Sequence, residues 1–247
     1  MNILRRRVSE GVKGSVTLKI YPQTTSSPTS IIYNPSSIAE LIIDGTKQPS
    51  VVTSYTFTSI NNHTIICKFK DGKIGDSAFA GIYDINSVDI DSDIIGIGNS
   101  AFSNCRVSTL TIPKTVEYIG RSAFSGCTNL HTLKVASAAI GAGAFGGCMY
   151  LSSLTLQEGV VYIGGGAFAS AGRFYGALSV TIPLSVKNIE SGAFYDMGTV
   201  TCLPVTPPSA GTNIFNSVNQ IRVPASSVTA YRQASGWSTY ESEITSL

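Results

Sequence analysis

The chain has 247 residues, 43% of them hydrophobic and only 13% charged, with a formal net charge of +2. A charged fraction about half the roughly 25% of ordinary globular domains, alongside 24 glycines and abundant Ser and Thr, describes a β-rich protein with a neutral polar surface. So small a net charge excludes strong steering toward nucleic acid, and no run of about 18 apolar residues is present to insert in a membrane as a helix.

The N-terminus carries the basic cluster Arg5-Arg6-Arg7 with no apolar stretch behind it, so it reads as a solvated tail and no signal peptide is visible. Alternating apolar and polar residues follow at 15–21, 55–58 and 64–70. Turn residues separate them: Pro22, Asn34-Pro35, Asp44-Gly45, Asn61-Asn62 and Asp71-Gly72. Residues 1–73 are therefore expected to form a small antiparallel β cap.

From residue 74 to 223 the chain repeats itself. Ala-Phe recurs at Phe79, Phe102, Phe124, Phe145, Phe168 and Phe194, and a degenerate Ile-Phe stands at Phe215, with spacings of 23, 22, 21, 23, 26 and 21 residues. Five positions before each of the first six Phe is an isoleucine (Ile74, Ile97, Ile119, Ile140, Ile163, Ile189), followed by glycine except at Glu190. Downstream of each Phe lies a short alternating segment such as Leu110-Thr111-Ile112, Leu133-Lys134-Val135 or Val180-Thr181-Ile182. Period-two alternation marks a strand with one face buried. Proline ends three of these segments, at Pro113, Pro183 and Pro224.

One unit of this size cannot bury its Ile, Phe and Leu; stacked units bury them in continuous columns. Seven coils are predicted, with glycine after Ile expected at a turn of positive φ and Ala before Phe allowing close packing. Residues 224–247 read as a helical cap: Ser226 or Ser227 would cap the helix, Gly236 would stop it, and Trp237, Tyr240 and Ile244 would close the end of the core.

The pattern Ile-Gly-x-x-Ala-Phe-x-x-Cys-x-x-Leu-x-x-Leu-x-Ile-Pro-x-x-Val-x-x-Ile-Gly, nearly complete from Ile97 to Gly141, resembles the BspA-like leucine-rich repeat family of Bacteroidetes such as Bacteroides. The resemblance covers roughly residues 74–245. It implies a β-rich solenoid, a right-handed coil stack with a parallel sheet on one face and short helical or irregular turns opposite. It also implies a cell-surface or extracellular protein that binds host matrix proteins or other bacteria. The chain departs from the family in lacking a signal peptide and in an insertion at residues 173–176.

Nothing in the residues announces chemistry. Cys105, Cys127 and Cys148 each fall three places after a repeat Phe, where other coils carry Ile82, Ala171, Met197 or Val218, so they are expected in a buried apolar slot. No zinc spacing occurs among the five cysteines, and Cys67 and Cys202 sit at strand core positions. His63 and His131 are expected on the surface. Asp84, Asp89, Asp91 and Asp93 lack the spacing of a calcium loop and read as a solvated acidic edge. No catalytic residue, metal or cofactor is expected.

The candidate binding residues are those that face outward. Thr109, Thr111, Thr132, Lys134, Thr155 and Thr181 alternate with buried positions and would align into hydroxyl-rich columns, although threonine also favours any exposed strand. Tyr118 and Tyr162 precede repeat isoleucines two coils apart, and Phe174 and Tyr175 lie in the insertion. The expected function is non-enzymatic: adhesion to, or binding of, a host or bacterial surface protein or glycan. The alternative, favoured by a leading Met without a signal peptide, is a structural component of a phage or surface appendage.

Overall fold

A computed structural model describes residues 12–174, 178–194 and 196–247. The repeats wind into a β-solenoid whose sheet-face strands stack in parallel register. Thr109–Ile112, Thr132–Val135 and Ser153–Leu156 form one run. Leu178–Ile182, Asp196–Cys202, Ser217–Val223 and Ile244–Ser246 form a second. The ladder breaks between Leu156 and Leu178, where the longer fifth coil carries its insertion.

A second, narrow parallel sheet runs along another face. It is built from the two-residue strands Lys73–Ile74, Gly96–Ile97, Tyr118–Ile119, Ala139–Ile140, Tyr162–Ile163, Asn188–Ile189 and Ser209–Ala210. A third backbone ladder joins the Ala-Phe turns. The N–H of Phe79 donates to Ala101 O, that of Phe102 to Ala123 O and that of Phe124 to Ala144 O, at 2.7–2.8 Å. Where all three ladders run, they satisfy the backbone at three corners of the coil, which a buried chain requires.

Inside, the Phe rings form one stacked column. Phe102 lies 5.0 Å from Phe124 at an interplanar angle of 6°, and the stack continues through Phe145, Phe168, Phe194 and Phe215. The ring spacing follows from the roughly 4.8 Å rise between neighbouring strands, which places identical side chains face to face.

The glycines after isoleucine have a different cause from the one expected. Gly98, Gly120, Gly141 and Gly164 do not adopt positive φ. A Cβ on Gly120 would instead stand 2.6 Å from backbone atoms of Gly98 and Asn99, in the coil before. Close coil-to-coil approach selects glycine there. Left-handed backbone occurs two residues before the Phe, at Ser77, Ser100, Ser122, Gly143, Gly166, Gly192 and Asn213, with φ between 50° and 63°.

At the N-terminal end, a five-stranded sheet has the order Thr46–Lys47, Ile38–Ile43, His63–Phe69, Ser15–Ile20, Ile85–Ile90. The last strand belongs to the first coil, and Ser15–Ile20 pairs antiparallel with it. The sheet thus converts the parallel stack into an antiparallel cap. Nearby, Ala78 O accepts the N–H of Tyr33, and Asp76 O accepts the side-chain amide of Asn34, so open groups of coil one find partners.

At the other end, the 3-10 turn Ala225–Ser227 leads into the helix Val228–Gln233. Ser227 occupies the N-cap without a side-chain capping bond and its hydroxyl is buried, contrary to the capping role expected for it, because the 3-10 turn already supplies the entry. The chain then adds Ile244–Ser246 in parallel beside Ser217–Val223, so the stack has about eight turns where the sequence suggested seven. Tyr231, Trp237 and Tyr240 are buried over the last coil. Tyr240 Oη accepts the Phe215 N–H at 3.0 Å and donates to Phe215 O at 2.8 Å, standing in for a further coil. Tyr231 Oη and Trp237 Nε1 donate to Pro204 O and Pro208 O, both at 2.8 Å.

Candidate functional site

The reactive side chains are absorbed by the scaffold. All five cysteines are buried free thiols. Cys105, Cys127 and Cys148 donate through Sγ to the carbonyls of Phe79, Phe102 and Phe124 in the preceding coil, at 3.2–3.3 Å. Burial pushes the Cys67 and Cys127 thiols up to about 12, so they are not nucleophiles at neutral pH.

His63 is a correction to the sequence expectation: it is buried in the N-terminal sheet and packs on Phe57 with ring centroids 4.3 Å apart. Its Nδ1 meets Asp44 Oδ2 at 2.6 Å, and its Nε2 lies 3.0 Å from Ser59 O and 3.2 Å from Ser59 Oγ. Ser59, His63 and Asp44 therefore form a linear polar chain. A carbonyl only accepts, so the Nε2 facing Ser59 O donates and has no lone pair for the Ser59 hydroxyl. The arrangement clasps a turn; it is not a nucleophile–base pair. Asp89, Asp91 and Asp93 are exposed, and Asp91 Oδ1 is held by the Asp93 N–H at 2.9 Å.

The outward residues separate onto three surfaces. On the broad sheet, Thr109 pairs with Thr132 and Thr132 with Ser153, while Thr111, Lys134 and Thr155 align in the adjacent column. Beyond the break, Thr181 pairs with Thr201 and Thr201 with Arg222. The break itself opens a shallow depression of about 240 Å³, lined by Thr155, Ser179, Thr181, Thr199 and Thr201 above Leu154, Leu156 and Val180. The hydroxyl columns predicted from alternation exist, and the irregular fifth coil divides them.

Tyr118 and Tyr162 belong to the narrow sheet, on a different face from the threonines, and each is 37% exposed. Gly96 lies beside Tyr118, and the Tyr118 ring borders a second depression of about 390 Å³ between the first coils and the N-terminal cap. Phe174 lies on a third surface, the edge leading into the broad sheet, where it is 58% exposed. Tyr175, Gly176 and Arg5 to Arg7 fall outside the described residues.

Sequence reasoning missed the neighbours of Phe174. Tyr150 lies with its ring centroid 4.9 Å from Phe174 and 6.3 Å from His131, and Arg106 approaches Tyr83 to 6.0 Å on the same edge. The signal was present: Tyr83 and Tyr150 follow their repeat Phe by four and five residues, just before the buried Ile85 and Leu151.

The model of the BspA type leucine-rich repeat region matches in six copies, over residues 13–94, 50–173 and 138–230. No curated protein matches the chain. Among solved structures, a leucine-rich repeat protein from Bacteroides ovatus aligns at 18% identity and a TM-score of 0.49, over 72% of this chain and 53% of that one. A leucine-rich repeat protein of T. pallidum aligns at 22% identity and a TM-score of 0.37, over 59% of this chain and 76% of that one. A leucine-rich cell surface protein from Faecalibacterium prausnitzii aligns at 19% identity and a TM-score of 0.31, over 70% and 56%. The chain spans about half the length of the Bacteroides ovatus protein it matches.

Proposed function

Because the chain belongs to the BspA-type leucine-rich repeat family, we propose that it is a non-enzymatic binding module that engages a host or bacterial surface protein or glycan, in the service of adhesion at the cell surface. The observation that carries this is the division of labour within each coil. Residues constant from coil to coil are buried, while the positions free to vary form aligned, weakly charged outward columns. A broad face of this kind, broken only by a shallow depression, offers extended area, which suits a macromolecular partner better than a small molecule.

The hydroxyl columns Thr109, Thr111, Thr132, Lys134, Thr155 and Thr181 form the primary face, and the edge aromatic Phe174 supplies an anchor of the type that concentrates binding energy. The low charge makes association insensitive to salt. The test is a binding screen of the intact chain against matrix proteins, bacterial surface proteins and glycans, repeated with the double variant Thr155→Arg/Thr181→Arg. Specific capture that this variant abolishes supports the module. Absence of capture together with a stable homo-oligomer in solution would overturn it in favour of a structural component of an assembly.

A further inference from the structure

Along the narrow sheet, the outward position beside each buried isoleucine reads Lys73, Gly96, Tyr118, Ala139, Tyr162 and Asn188. Gly96 is the member of this column without a side chain, and its backbone is not left-handed. A Cβ on Gly96 would fall 2.5 Å from the Tyr118 ring. The glycine is therefore a seat: its missing side chain lets the ring lie across coil two. Tyr162, with Ala139 as its neighbour, is not among the residues that line this depression.

The seated ring becomes one wall of the 390 Å³ depression, whose other polar lining is Ser37, Asp71, Lys73, Asp76 and Asn99. The volume falls in the roughly 300–1,000 Å³ range of small-ligand sites, and the site lies where the cap meets the solenoid. Its walls are fixed. Ser37 Oγ accepts the Gly75 N–H at 3.0 Å, and the Asp76 carboxylate accepts the Asn99 N–H at 2.7 Å and its side-chain amide at 3.3 Å.

We propose that this depression binds a neutral saccharide, the end or a short stretch of a glycan chain. The proposal rests on the binding-module function and names its ligand class. A sugar presents an apolar C–H face and a rim of hydroxyls; Tyr118 presents an apolar ring with a polar tip, and the carboxylates, amide and hydroxyl around it exchange hydrogen bonds with that rim. The two carboxylates outnumber the one Lys73 ammonium, which disfavours phosphate and sulfate groups, and the ring with the donors and acceptors around it complements an uncharged polyol.

The intact chain is screened on an array of neutral and anionic oligosaccharides, and the strongest neutral binder is titrated calorimetrically against variants whose folding is checked by thermal melting. Tyr118→Ala should weaken binding at least about tenfold, roughly 1.4 kcal/mol. Tyr118→Phe, which keeps the ring, should stay within a few-fold. Tyr162→Ala should leave saccharide binding unchanged, as should added salt. Retention of binding in Tyr118→Ala overturns the site, and a steep loss of binding with salt overturns the neutral ligand class in favour of a cationic peptide. Capture of a protein partner without binding to any neutral saccharide overturns this proposal alone. Failure of both screens overturns the binding module as well.

Discussion

Phe124 lies between Phe102 and Phe145 in the ring column, fully buried, with stacked neighbours at 5.0 and 5.4 Å. Truncating it removes both stacks and leaves a void that neighbouring coils, held in register by three ladders, cannot close. Phe124→Ala should cost about 3–5 kcal/mol, measured by denaturant unfolding. Two glycines separate space from conformation. Gly120→Ala pushes a methyl to within 2.6 Å of the previous coil's backbone and should cost about 1–3 kcal/mol. Gly143→Ser, by contrast, places serine in a left-handed position that Ser100 and Ser122 already occupy in other coils, with 3.4 Å of clearance. It should cost about 1–2 kcal/mol, set by the left-handed backbone and not by crowding. The sequence showed both as glycines; only the coil contacts show why they differ.

At the scale of the element, the two caps solve the same problem by different chemistry. The C-terminal cap relies on the Tyr240 hydroxyl, so Tyr240→Phe leaves the buried Phe215 N–H without an acceptor. That change should cost about 1–3 kcal/mol and fray the last coil, seen as faster amide exchange there than in coil three. The N-terminal cap relies in part on charge. The Glu40 carboxyl is held below its usual range by the Lys68 ammonium, against some desolvation, with Lys47 assisting. For Asp44, burial pushes the pKa up, but the Thr64 N–H and the His63 ring outweigh it, and the net shift is downward. Both groups bind protons less readily folded than unfolded. Their stabilisation is therefore fully present above the unfolded values, near 4.5 and 3.8, and is lost as pH falls through the lower folded ones. Melting followed at the cap should move to lower temperature as pH drops below about 4, and Asp44→Asn should flatten that dependence.

At the scale of the molecule, the cysteines report on the integrity of the stack. All five thiols are buried and protonated, so a thiol reagent should label none in the native state and five after denaturation, counted by mass spectrometry. Early labelling of Cys202 ahead of Cys127 would locate the first opening at the C-terminal end, as expected of a stack stabilised by nearest-neighbour contacts.

The repeat, the buried columns and the strand alternation were determined by the sequence alone, because a period of about 22 residues records one identical burial problem solved again in each coil. The outward threonines were equally legible, since alternation fixes which residues face away from the core. Tertiary structure decided what depends on neighbours distant in the chain. It placed Tyr118 on a different face from Thr111, drew Asp44, Ser59 and His63 into one clasp, and seated a tyrosine ring on Gly96. It also completed the C-terminal end with Ile244–Ser246 as a further strand and Tyr240 as a surrogate backbone partner. Each of these rests on contact between adjacent coils or between cap and coil, and periodicity within one coil carries no record of which groups that contact brings together.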